Sequence, residues 1–151
     1  METEILAYTA GIVDGEGYIG IRKGKPTTSR KNFSYDLTVA IAMTDKEIID
    51  WLHGTFGGGS CFSKLRDPKH KPAHRWAIWN NKAEIFLRSI QPFIRVKANQ
   101  VKVGLLLCES IEEGRRLNHR EGVPSEMLIF RENLYIQLRK LNEKGCDNNA
   151  S

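Results

Sequence analysis

The chain has 151 residues, 40% hydrophobic and 27% charged, enough for one domain with its own core and too apolar for a disordered segment. No run of about 18 apolar residues occurs, which excludes a membrane-spanning helix. Three scattered cysteines (Cys61, Cys108, Cys146) without a CxxC pair exclude a disulfide framework and a zinc ribbon. The net charge of +5 is unevenly placed: residues 17–102 hold sixteen Lys and Arg against six Asp and Glu, while residues 1–16 carry −4 and residues 103–151 carry −1. A basic middle of this kind points to a polyanionic partner, with a merely solvated surface as the plain alternative.

Along the chain, residues 4–13 read as a helix. Ala7, Gly11 and Gly15 recur every four residues. That small-residue stripe lets another backbone approach closely, from the same chain or from a partner. Residues 18–23 alternate Ile19 and Ile21 with Gly20 and Arg22, the pattern of a half-buried strand. A polar, basic loop follows over 24–32. In the second strand Leu37, Val39 and Ile41 share one face, and Asp36, Thr38, Ala40 and Ala42 the other. Thr44 to Glu47 form a capping box for a helix with Ile48, Ile49, Trp51 and Leu52, which three glycines (57–59) end. Strands are expected over 61–66 and 74–79, joined by the turn-rich DPKHKP loop. Asn81 caps a short helix, Pro92 breaks the chain, and 96–111 and 125–141 read as helices. Met127, Phe130, Leu134, Leu138 and Leu141 form the apolar stripe of the last one. Trp51, Trp76, Trp79, Phe130 and Tyr135 are assigned to packing, and the role of the final helices, with Arg115, Arg116, Arg120, Arg139 and Lys140, stays open. The result is an α+β fold with an α-β-β-α-β-β-α core. Its four-stranded antiparallel sheet has helices on one face. Residues 1–142 make a single domain, and 143–151 a polar tail.

The segment AGIVDGEGYIG (residues 10–20) contains G-x-G-x-x-G, but in the order helix, turn, strand; a dinucleotide site needs strand, turn, helix. What remains is an acid pair, Asp14 and Glu16, between glycines at a helix C-terminus. Carboxylates are disfavoured there without a cation, since the helix dipole is negative at that end. A divalent metal held by carboxylate and carbonyl oxygens would compensate, and two solvated turn acids are the alternative. His70, His74 and Cys61 lack a fourth ligand at suitable spacing for zinc.

The string TAGIVDGEG (residues 9–17) resembles the motif of the LAGLIDADG homing endonucleases. The element order agrees. So does QPFIRVKANQ (residues 91–100), similar to that family's stretch with an active-site lysine, and AIAMTDK (residues 40–46), similar to the end of its second strand. The resemblance covers roughly residues 4–110. It implies a metal-dependent double-strand DNA endonuclease with Glu16 and Lys97 as catalytic residues. It also places Glu16 and the Gly15 carbonyl on the metal. Mg²⁺ is the expected ion, with Mn²⁺ substituting and Ca²⁺ binding without turnover. Asp14 matches the earlier acid, structural in the family. One position departs: Ala42 stands where relatives often carry a polar, water-ordering side chain.

A single motif implies a homodimer through the motif helix, with Ala7, Ala10, Gly11 and Asp14 at the interface. The target is then double-stranded DNA of near-palindromic sequence, cut with staggered ends. The exposed sheet face would read DNA with Tyr18, Arg22, Ser34, Asp36, Thr38, Ala40, Lys64, Arg66 and Arg75. Loop residues Lys23, Lys25, Arg30, Lys31, Lys69 and Lys71 would hold phosphates. No membrane or small-molecule partner is expected. The N-terminus has neither signal-peptide nor transit-peptide character, so the expected setting is a prokaryotic cytoplasm or an organelle that encodes the protein. An RNA maturase, a non-cleaving DNA-binding regulator and an unrelated basic binding module are the alternative readings.

Overall fold

The computed structural model describes residues 1–63, 69, 71–117 and 122–143. The elements are α1 (Thr3–Glu16), β1 (Gly17–Gly24), β2 (Ser34–Met43), α2 (Lys46–Phe56), β3 (Gly59–Ser63), β4 (Ala73–Trp79) and α3 (Asn80–Ile90). A 3₁₀ turn (Gln91–Phe93), α4 (Ala98–Arg116) and α5 (Ser125–Asn142) follow. The fold is α+β, with the expected order and two further helices. The polar tail beyond residue 143 lies outside the described residues.

The sheet is antiparallel with strand order β1-β2-β4-β3. The period-2 pattern decides its faces. Ile19, Ile21, Leu37, Val39, Ile41, Trp76 and Ile78 are buried in the core, where α2, α3 and α4 pack on the sheet. α5 lies along α4 and β1, and the Asn142 amide Nδ2 donates to the Ile19 carbonyl at 2.7 Å.

Local chemistry fixes the junctions. No loop separates α1 from β1: the Gly17 N–H donates to the Val13 carbonyl, and a Cβ at Gly17 would stand 2.6 Å from that oxygen. Only glycine allows so abrupt a turn from helix to strand. The cap of α2 is Asp45, one residue later than expected, because its carboxylate reaches the Ile48 N–H at 3.2 Å. α2 ends at Gly57 and Gly58, with φ of 72° and 92° in the left-handed region. α3 starts at Asn80 without an Asn81 side-chain cap. Where β4 stops pairing with β2, the Asn80 amide accepts from the Leu37 N–H and donates to Asp36, both at 3.1 Å.

α5 is turned differently from the expected stripe. Phe130 is exposed, and Arg131 is buried beside Leu134 and Leu138. The Arg131 guanidinium donates to the Ser110 hydroxyl at 3.0 Å and the Ser110 carbonyl at 2.9 Å, so it ties α5 to α4. Gly114 makes the room: a Cβ there would lie 2.9 Å from the Arg131 Nη2.

Candidate nucleic-acid interface and metal site

α1 has one buried and one open side. Thr9, Ala10 and Val13 face the core, while Ala7, Gly11, Gly15 and Glu16 are exposed. A Cβ on Gly11 or Gly15 would meet nothing within 4 Å. The stripe is therefore a free helix face in this chain, not an intrachain contact. Ala10 does not belong to it. It is wholly buried (0% exposed), one helical step round from Gly11, and cannot touch a partner.

The C-terminus of α1 is clasped by the segment that follows the 3₁₀ turn. One Asp14 carboxylate oxygen accepts the N–H groups of Val96 (3.1 Å) and Lys97 (3.0 Å), and the other accepts that of Arg95 (2.9 Å). In return, Lys97 Nζ donates to the carbonyls of Val13 (2.9 Å) and Asp14 (3.0 Å). The Asp14 carboxylate is thus engaged within its own chain, with the residue half-buried. The ammonium of Lys97 neutralises the negative end of the α1 dipole one residue before Gly15 and Glu16. A hard divalent cation suits this place, since an exposed carboxylate and a helix-end carbonyl are oxygen donors. Among the described residues no group of three or more His, Cys, Asp or Glu could hold a metal. One chain supplies only part of a coordination shell, which suits an ion that keeps waters and takes substrate oxygens.

The open sheet face carries cross-strand rows. Tyr18, Ala40, Ala77 and Gly59 stand opposite one another in turn, as do Gly20, Thr38 and Trp79, and as do Ala42, Arg75 and Cys61. Arg22 faces Asp36 across β1 and β2 and pairs with it at 3.3 Å. Asp36 is therefore engaged by Arg22 and Asn80, one hydrogen bond to each carboxylate oxygen. Thr38 and Ala40 are on the expected face but are only 8% and 5% exposed, sheltered between taller neighbours. Trp79, assigned from sequence to packing, is on this open face and 44% exposed. Its parity with Arg75 and Ala77 was the available signal.

The loop cations divide. Lys23 is a strand residue on the helix side. Its Nζ lies 2.8 Å from Glu132 and 4.4 Å from the Phe33 ring centroid, so it is not a free phosphate contact. Arg30 closes its own loop through the carbonyls of Lys25 (2.7 Å) and Asn32 (3.1 Å). Lys25, Lys31, Lys69 and Lys71 are exposed and Ser34 is half-buried. Lys64 and Arg66 lie outside the described residues. Behind β2, the Tyr35 hydroxyl donates to Glu132. Burial, then that bond, push the Tyr35 phenol up to about 12. The hydrogen bond from Lys23, then that from Tyr35, hold the Glu132 carboxyl below its usual range.

A four-stranded antiparallel sheet with one free face, and a motif helix whose end meets a lysine-bearing strap, define the class: an α+β fold built around a helix-end acid site. That fold is the fold of the LAGLIDADG homing endonucleases. The chain is similar to I-CvuI in complex with DNA (TM-score 0.73, 15% identity, 93% of this chain and 83% of that one). It is similar also to the archaeal intron-encoded homing endonuclease I-Vdi141I complexed with DNA (TM-score 0.74, 20% identity, 96% and 88%). A third similar structure is the LAGLIDADG homing endonuclease I-SmaMI bound to cleaved DNA (TM-score 0.68, 16% identity), where 91% of this chain matches 45% of the larger one. No family profile matches the sequence, and no curated protein matches it. Among the described residues no helix is long and apolar enough to cross a membrane.

Proposed function

We propose that the protein is a site-specific, homodimeric double-strand DNA endonuclease of the LAGLIDADG type, encoded by an intron and dependent on Mg²⁺. The observation that carries this reading is the end of α1. Glu16 and Gly15 are exposed there beside the Lys97 strap, on a helix face whose glycines have open space around them. Two such faces packed together bring two Glu16 carboxylates near one axis. Glu16 and the Gly15 carbonyl hold the ion, and the Lys97 ammonium places positive charge next to the scissile phosphate. A bound divalent ion supplies an activated water and neutralises the attacking and leaving oxygens. Two-fold symmetry gives a near-palindromic target, with each protomer cutting one strand to leave staggered ends. Mn²⁺ replaces Mg²⁺ in this reading, and Ca²⁺ supports binding alone. The structures of I-CvuI with DNA were obtained in the presence of Mg, with the DNA not cleaved, and in the presence of Ca, which supports divalent-metal use in the fold.

A second reading has one observation in its favour. Ala42, at the end of β2, is exposed opposite Arg75 and has no polar atom to order a water. A non-cleaving DNA-binding regulator, or a maturase using the same fold on RNA, tolerates that. Cleavage of a randomised duplex library in Mg²⁺ and in Ca²⁺, with Glu16→Gln alongside, separates the readings. Discrete double-strand breaks in Mg²⁺ alone, lost in Glu16→Gln with binding retained, are expected. Tight binding with no cut in either metal overturns the nuclease.

A further inference from the structure

One end of the sheet lies level with the helix-end acid. Gly17 of β1 pairs with Ile41 of β2, so Glu16, the residue before it, stands level with Ala42. Ala42 in turn pairs with Arg75 of β4. Two strand spacings, about 10 Å, therefore separate the backbones of Glu16 and Arg75. Between them on the open face is the exposed methyl of Ala42. Arg75 also lines one polar depression of about 450 Å³ with Tyr18, Arg22 and Thr38, although β2 runs between β4 and the strand that carries Tyr18. The β2 residues at their level, Ala40 and Ala42, are too short to part them. Among the described residues Arg75 has no hydrogen-bond or ion-pair partner, whereas Arg22 on the same face is paired with Asp36. Arg75 is half-buried. A half-buried guanidinium without an acid in its own chain favours an anion from outside it.

The parallel N–H groups of a guanidinium match two non-bridging oxygens of a phosphate, and they match a guanine edge as well. The level of the row decides between them. A group level with Glu16 meets the DNA where the strand is cut, and the anion there is the phosphate under attack. We infer that Arg75 is a catalytic residue that holds the non-bridging oxygens of the scissile phosphate, and is not the base reader its strand position suggests. The inference rests on the DNA-endonuclease reading above. In the hydrolysis, water adds to phosphorus, the bond to the leaving sugar oxygen breaks, and the electron pair of that bond goes to the leaving oxygen. The attacking water gives up a proton and the leaving oxygen takes one up, so the protons balance through solvent. Negative charge builds on the non-bridging oxygens on the way. A fixed guanidinium therefore binds the transition state more tightly than the intact phosphate. Ala42 leaves the path from β4 to that phosphate open.

The test combines site selection from a random duplex library in Ca²⁺, binding to the selected duplex in Ca²⁺, and its single-turnover cleavage in Mg²⁺. Arg75→Ala should slow cleavage about 100-fold, the range for removing one transition-state donor. Its binding should weaken by less than about tenfold, the loss of one phosphate contact. Arg75→Lys keeps the charge and loses the fork, so it should cleave about tenfold faster than Arg75→Ala. The sequence selected by Arg75→Ala should equal that selected by the unaltered protein. If Arg75→Ala fails to fold, Arg75→Lys carries the test, with cleavage about tenfold slower than the unaltered protein at equal binding. Three outcomes overturn the inference and leave the endonuclease reading standing. The first is a guanine position that loses its preference in the variant, which makes Arg75 a base reader. The second is a loss of binding as large as the loss of rate. The third is cleavage by the variant at the rate of the unaltered protein. If the unaltered protein cuts no selected site, the endonuclease reading and this inference fall together.

Discussion

Asp14 and Lys97 grip each other's backbones rather than each other's charges. The Asp14 carboxylate takes three consecutive N–H groups, including that of Lys97, and the Lys97 ammonium takes the Asp14 carbonyl at 3.0 Å. This reciprocal clasp holds α1's end, and with it Glu16, at a set distance from the strap. Asp14→Ala strands three donors. Hydrogen bonds to charged groups contribute about 1.5–3 kcal/mol each when fully counted, and water recovers part of that at a half-exposed site. A net loss of about 2 kcal/mol is expected from urea unfolding, as a lower midpoint with unchanged slope. Asp14→Asn keeps one acceptor and should lose less. A loss under about 0.5 kcal/mol would show the clasp to be incidental.

Salt dependence of DNA binding should separate two lysines only two residues apart. Lys25 is exposed in the β1–β2 loop, while Lys23 is held by Glu132 on the helix side. Each phosphate contact contributes about one to the slope of log K against log salt. Lys25→Ala should therefore lower that slope by about two in a dimer. Lys23→Ala should leave the slope alone and cost about 1 kcal/mol of folding stability, the range of a partly exposed ion pair. Anisotropy titrations over a KCl series give the slopes; equal slopes for Lys25→Ala and the unaltered protein would remove Lys25 from the interface.

The same cluster predicts how stability varies with pH. The Tyr35 phenol rises from 10.0 to about 12 in the folded chain, through burial first and the Glu132 bond second. Folding then favours its protonated form. That stabilisation is whole below pH 10 and is lost as pH rises from 10 towards 12. Glu132 has the opposite sign. Its carboxyl is held below 4.5, so its contribution is present above 4.5 and is lost as pH falls through the depressed value. Urea midpoints measured across pH should show both limbs. Tyr35→Phe should flatten the alkaline limb and Glu132→Gln the acid one, each relative to the unaltered protein.

Much of this was legible in the sequence for a physical reason. Along β2 the apolar Leu37, Val39 and Ile41 alternate with small or polar residues, so one face had to be core. The abrupt Gly17 turn and the acid pair were visible as a motif. Other features needed coordinates. An aromatic on an open sheet face looks in sequence like a core aromatic, so Trp79 was misplaced. Lys23 looked like a solvated cation, although the alternation that buries Ile19 and Ile21 puts it on the same side. On α5 a core position is filled by Arg131, whose charge is satisfied by Ser110 across two helices, and no local pattern announces that. Ala10 differs from Ala7 and Gly11 only by its angle round α1.

Gly11 gives the cleanest test of the dimer, because the sign of one substitution depends on it. A Cβ at Gly11 meets nothing within 4 Å in a single chain. For a monomer, Gly11→Ala therefore gains helix propensity, about 1 kcal/mol. In a pair of closely packed α1 helices the same methyl enters the space the partner backbone needs. Association should then weaken, and the rise of the melting temperature with protein concentration should shrink. Gly11→Leu should give monomers in sedimentation and lose cleavage, while its circular dichroism stays that of a folded chain. If Gly11→Leu remains dimeric, and Gly11→Ala is stabilised equally at every concentration, α1 is not the interface. The twin-site reading would then fail with it, since two Glu16 carboxylates would have no shared axis.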